Sequence, residues 1–190
     1  MRITEAINES IQTKQRILAD KDLIEAIHDV ADTCMEAFCE GNKVLFCGNG
    51  GSAADAQHLA AEFSGRFSYD REPLPSEALH VNSSYLTAVA NDYSFDEVYS
   101  RILKGIGVEG DVLVAISTSG NSQNIIRALE TAREMGIITV GLTGETGGKM
   151  KNLCDFLINV PSKETPRIQE SHIMIGHIIC EYVESTLFPK

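Results

Sequence analysis

Five consecutive apolar residues, Val112-Leu-Val-Ala-Ile116, run without a break into the polar turn Ser117-Thr-Ser-Gly-Asn-Ser122 and then into an amphipathic stretch that ends at Gly136. A strand that is apolar at every position has no face to offer water, so it belongs inside a parallel sheet covered on both sides. The stretch over 122–135 carries its apolar residues at helical spacing, and the glycine after it is a helix stop. Strand, polar loop and helix make up the repeating unit of an α/β chain, and further copies lie on both sides of this one.

A second short apolar strand is predicted over 43–47, running directly into Gly48-Asn-Gly-Gly-Ser52 and a helix through Ala53, Ala56, Leu59, Ala60 and Phe63. Three more strands are predicted over 76–81, 137–142 and 155–160, with helical segments over 83–90 and 95–104. The segment 66–75 is polar, holds two prolines and is read as a loop, as is the Gly-rich 143–148. A last helix runs from about Pro166, a residue suited to a first turn, to Leu187. The first forty residues predict two helices broken near 20–22, with Gly41 and Asn42 as the stop. Five strands joined by right-handed crossovers give a three-layer αβα sandwich with a five-stranded parallel sheet, plus N-terminal helices.

A chain of 190 residues with 43% hydrophobic content builds one sizeable core, so a single domain over 1–190 is expected. Its formal charge of -11 repels polyanions, which argues against nucleic acid and acidic membrane surfaces as partners. No stretch approaches the roughly 20 apolar residues of a membrane span, and the N-terminal residues lack the apolar centre of a secretory signal, so a cytoplasmic location is expected. The five cysteines form no C-x-x-C pair and read as free, mostly buried thiols.

Ligands of open parallel sheets sit beyond the carboxyl ends of the strands, where the Gly-rich and hydroxyl-rich loops fall. Ser117, Thr118, Ser119 and Ser122 put four hydroxyls and several N–H groups at the start of a helix, where unpaired N–H groups and the helix dipole favour an anion. The bland alternative is that Ser and Asn cap that helix, a task that needs one such residue where five are present. Without Lys or a G-x-x-x-x-G-K pattern the loop is no nucleotide P-loop, and a sugar phosphate held by neutral groups fits better. Asn49, Gly50, Gly51 and Ser52 form the matching loop after the first strand. Ala53 stands where a dinucleotide fingerprint has its third glycine, so a Rossmann cofactor is disfavoured. The 141–148 loop is more simply a tight turn than a ligand loop.

His58 and Glu62, four residues apart, share one face of the helix after the first loop. On the last helix Gln169, Glu170, His172 and His177 are candidates, and Gln169 and His177 point to roughly the same side. Taken singly, each histidine is more often structural and an i,i+4 His/Glu pair more often superficial. Joint placement would supply a general base and a general acid for proton transfer through an enediol, or a mixed N/O metal site of His58, Glu62, Gln169 and His177. His28 and His80 are assigned no role.

The segments CGNGGSAADAQHLAAEFSGRF (47–67), AND (90–92), AISTSGNS (115–122), LTGETGGKM (142–150) and RIQESHIMIGH (167–177) together resemble the sugar isomerase (SIS) domain proteins and, within them, the phosphoheptose isomerases, along essentially the whole chain. The resemblance implies a flavodoxin-like SIS fold and conversion of sedoheptulose 7-phosphate to D-glycero-D-manno-heptose 7-phosphate, toward nucleotide-activated heptose for lipopolysaccharide or other surface glycans. It implies Glu62 as base and His177 as acid, phosphate contacts from Ser52, Ser117, Thr118, Ser119 and Ser122, and sugar contacts from Asn49, Gly50, Gly51, Asn91, Asp92 and Gln169. Arg66 is a further active-site candidate. His58, Glu62, Gln169 and His177 match zinc ligands of the family, one zinc per subunit, so metal and base roles compete for Glu62. A homotetramer with active sites between subunits is also implied, with helices of residues 1–40 contributing to assembly.

Two other classes share these loops. One is a non-enzymatic SIS protein that binds the bacterial replication initiator, with which this chain shares ESIQT (9–13), DEVYS (96–100) and LFP (187–189). Glu62 and His177 together favour the isomerase, since the positions matching them in that branch are not an acid–base pair. The other is a sugar-phosphate sensor without turnover, separated only by assay.

Overall fold

The structure, a computed structural model, describes residues 2–190. Two helices come first, α1 (Ile3–Ala19) and α2 (Lys21–Cys39), followed by β1 (Val44–Gly48), α3 (Gly51–Ser64), β2 (Ser76–Ala78), α4 (Ser83–Asp92), α5 (Val98–Ile106), β3 (Val112–Ile116), α6 (Gln123–Glu134), β4 (Ile138–Thr143), β5 (Phe156–Asn159) and α7 (Thr165–Leu187). The break between the first two helices is Asp20 alone, whose carboxylate accepts the Leu23 N–H as the N-cap of α2 (3.1 Å).

The five strands form one parallel sheet in the order β2-β1-β3-β4-β5. All positions of β1 and β3 are buried, as continuous apolar runs in the middle of a sheet should be. Successive side chains go to opposite faces. Val44, Phe46, Val112 and Val114 pack with α2, α3 and α7, while Leu45, Cys47, Leu113 and Ala115 pack with residues of α4, α5 and α6. The layers are helix, sheet, helix, with α1 laid along α2 and α7.

Two elements differ from the sequence expectation. Residues 79–81 do not continue β2: they turn, with the Val81 N–H on the Ala78 carbonyl (3.3 Å), and Asn82 caps α4. As the edge strand, β2 has a partner on one side only, so little holds it extended once that turn begins. His80 therefore lies in the turn rather than at a strand end. The predicted helix over 95–104 is split into a 3-10 turn, Phe95–Glu97, and α5, a tightening common where a helix begins.

The chain leaves β1 toward β2 on one side and returns to β3 on the other. The carboxyl ends Gly48 and Ile116 are register partners at this reversal, so the loops that follow them open a crevice side by side.

Candidate active site

The first wall of the crevice is the turn from β1 into α3. A Cβ at Gly51 would stand 2.6 Å from the Gln169 amide nitrogen, so a glycine there lets that side chain of α7 lie directly on the loop. Asn49 exchanges two amide hydrogen bonds with Asn124 near the start of α6, both 2.9 Å. Asn124 is buried and also accepts the Ile125 N–H, so it fixes the spacing between the two loops. The buried Tyr99 hydroxyl donates to the Gly48 carbonyl.

The second wall is the hydroxyl loop. Ser122 occupies the N-cap of α6 without a side-chain cap bond, its hydroxyl instead facing that of Ser117 at 3.2 Å. The capping alternative therefore does not account for it. Among the described residues the N–H groups of Gln123 and Asn124, the first two of the helix, have no partner, which leaves them free for an anion. The 143–148 loop and the 3-10 turn Gly148–Asn152 after it brace this wall from behind: the Gly144 N–H donates to the Thr118 carbonyl (3.0 Å), and the Lys149 N–H to the Asn121 side chain (3.2 Å). The loop serves as the tight turn that the sequence suggested.

The acid–base groups meet where α7 crosses α3. Gly176 allows that approach, because a Cβ on it would stand 2.5 Å from Leu59. His58 Nε2 and Glu62 Oε1 are 2.8 Å apart, and the ring of His177 stands edge-on to that of His58 with centres 5.0 Å apart. Phe67 also packs on His177, tilted, with ring centres 5.6 Å apart. Asp55, one turn before His58, adds a carboxylate whose buried Oδ2 has no hydrogen-bond partner among the described residues. Burial pushes its pKa up, and the nearby His58 and His177 pull it part of the way back.

One side-chain donor atom from each of His58, Glu62 and His177 lies within 4.8 Å of the others. His177 Nε2 is buried without a hydrogen-bond partner among the described residues, and two imidazoles with a carboxylate are a donor set that a borderline cation such as zinc accepts. The three residues fit a metal of that kind. Gln169, two turns earlier on α7, is placed against Gly51.

The remaining candidates stand differently. Arg66 is exposed on the loop after α3. Asn91 and Asp92, exposed at the end of α4, hydrogen bond to each other, and among the described residues neither bonds to the two loops. Glu170 pairs with Arg167 at 2.5 Å, and His172 is fully buried with Nε2 3.0 Å from the Thr143 carbonyl, so both act structurally. Sequence reasoning missed Asp55, which stands beside the cluster, and Asn124, which ties the two loops. An Asp three residues before His58 was a readable signal for the first; the second carries none in its local pattern.

A family model described as the SIS domain matches residues 7–144. The chain is 59% identical to a phosphoheptose isomerase of Aneurinibacillus thermoaerophilus over 96% of its length and 92% of the relative's. It is 56% identical to one of Mycobacterium tuberculosis over 95% of its length and 92% of the relative's. The solved phosphoheptose isomerase of Neisseria gonorrhoeae superposes with a TM-score of 0.90 at 44% identity, covering 97% of each chain.

Proposed function

The chain belongs to the SIS-domain family, and from that premise we propose that it is a phosphoheptose isomerase converting sedoheptulose 7-phosphate to D-glycero-D-manno-heptose 7-phosphate. The observation that carries the chemistry is the meeting of Glu62 and His177 from separate helices; the free N–H groups at the start of α6 supply the anion site. Ser117, Thr118, Ser119, Ser122 and the first N–H groups of α6 hold the phosphate, with Ser52 alongside. Asn49, Gly50, Gly51 and Gln169 line the sugar's path to the helix crossing, and Arg66 stands at its mouth.

Glu62 takes a proton from C1 of the ketose, the electron pair of that bond forms C1=C2, and O2 gains a proton. O1 then gives up its proton, C1=O1 forms, and Glu62, whose proton has exchanged with solvent at the enediol stage, protonates C2. His177 carries the proton between O1 and O2. His58 orients Glu62 through their hydrogen bond.

His58, Glu62, Gln169 and His177 are the residues that would hold zinc, one per chain. When bound, the ion supplies Lewis-acid polarisation of the substrate's oxygens.

Four copies assemble, with the N-terminal helices at the contacts and Asn91 and Asp92 brought to a neighbour's crevice. An apolar groove of about 410 Å³ between α1, α2 and α7, with Ile7, Ile11, Leu18 and Ile178 exposed nearby, supports that assembly. The product feeds heptose activation for surface glycans such as lipopolysaccharide. The five unpaired thiols suit the reducing cytoplasm.

The test is NMR of sedoheptulose 7-phosphate with the protein in deuterated water, with and without zinc. Aldose carrying deuterium at C2 is expected. Neither product nor exchange from folded protein under both conditions would refute the reading.

A further inference from the structure

Arg71 and Glu184 form an ion pair at 3.1 Å in which each side chain is only 2% exposed. A pair so buried is weak evidence for stability, because the cost of removing both charges from water is large, so its partners matter more than its charge. The Arg71 guanidinium donates to the carbonyls of Glu62 (2.8 Å), Phe63 (2.7 Å) and Gly65 (3.3 Å). The carbonyls of Glu62 and Phe63 belong to the last turn of α3 and have no partner within the helix, so the cation caps the turn that carries the base. Glu184 accepts the N–H groups of Phe67 (2.9 Å) and Ser68 (2.7 Å), which pins the strap that holds Arg66 and presses Phe67 on His177. Glu184 lies two turns beyond His177 on α7, so the pair joins both helices of the acid–base site just outside it. Tyr69 ties the same strap to the Glu184 and Phe188 carbonyls (3.3 and 2.7 Å).

We propose that Arg71 and Glu184 are positioning residues of the isomerase: their buried pair sets the last turn of α3 and the 66–68 strap against α7, and so holds Glu62 and Arg66 in register with His177. This rests on the isomerase reading above. Neither residue touches the hydroxyl loop, which stands on β3 and α6 on the far side of the crevice. Losing the clamp therefore acts on the proton-transfer geometry and spares the phosphate.

The experiment compares the wild type with Arg71→Lys, which keeps the cation but loses the fork, and Glu184→Gln, which keeps the shape but loses the charge. Leu103→Val, in the opposite layer, serves as a control for plain loss of stability. Turnover of sedoheptulose 7-phosphate is measured per folded chain, and the His177 imidazole resonance is recorded in metal-free protein at fixed pH. The expected result is a fall in kcat of about tenfold to a hundredfold with KM nearly unchanged, the signature of misplaced reacting groups. The His177 resonance should move as the Phe67 ring shifts, and the control should change neither. Unchanged kcat and an unmoved resonance in folded Arg71→Lys would overturn the proposal. If Glu184→Gln does not fold, Arg71→Lys alone decides. If the wild type fails to isomerise, the function reading falls by itself, and the resonance still decides whether the pair positions His177.

Discussion

The imidazole of His177 in α7 meets that of His58 in α3 edge-on, ring centres 5.0 Å apart, and Glu62 Oε1 lies 2.8 Å from the same His58. Three groups that can exchange protons thus share one point at the crossing of two helices. The consequences for Glu62 are the most direct.

Glu62→Gln keeps the volume and the backbone bond to Arg71 but removes the carboxylate proposed as the base. Turnover should fall by roughly a hundredfold to ten-thousandfold while sugar-phosphate affinity stays within a few-fold. Kinetics paired with calorimetric binding checks both halves, and wild-type turnover would take Glu62 out of the mechanism.

Ser122→Ala removes a hydroxyl from the anion loop without disturbing a cap, since Ser122 makes no cap bond. KM for the phosphosugar should rise roughly tenfold, as expected for one hydrogen bond to a charged group, with kcat little changed. A fall in kcat at constant KM would instead place Ser122 at the reacting end.

Zinc should bind one per chain in a competition titration with a chromophoric chelator. His58→Ala should weaken it by at least roughly tenfold to a hundredfold, a range that even outer-shell partners command. Equal affinity in the variant would remove His58 from the ligand set.

His172 gives a pH prediction. Burial pushes its pKa down from 6.5 to about 4, and the Thr143 carbonyl offsets this only in part. The unfolded chain binds that proton near pH 6.5 and the folded chain only near 4, so stability falls as pH drops through this window and is fully present above it. The loss approaches about 3 kcal/mol at the acid end. Urea melts between pH 7 and 4.5 should show a steeper acid decline in the wild type than in His172→Gln, and parallel declines would assign the acid sensitivity to other groups.

What could be read in the sequence was what depends on neighbours along the chain. Val112–Ile116 is a buried strand because every residue of it is apolar, and His58 and Glu62 share a face because four residues make a turn. The crossing that brings His177 to them depends on how α7 lies over α3, and nothing near Gly176 states that its neighbour will be Leu59. Arg71 and Glu184 were unreadable for the same reason, since a charged residue in a polar loop and another in a helix look solvated until the fold buries them together. The edge strand β2 stops at Ala78, short of the apolar Leu79 and Val81, because it has a pairing partner on one side only.

The place of α7 in the core has a consequence for how the protein is made. Ile168, Ile175, Ile179 and Val183 complete the layer over Val44, Val112 and Val140, yet they leave the ribosome after every strand of the sheet. Until they arrive, the part of that apolar face not covered by α2 and α3 stays open, and His58 and Glu62 lack His177 beside them. Synthesis therefore carries an interval of aggregation risk that ends in the same step that brings His177 to Glu62. Chains cut short before α7 should be chaperone clients and inert, so activity in an extract counts finished chains rather than initiated ones.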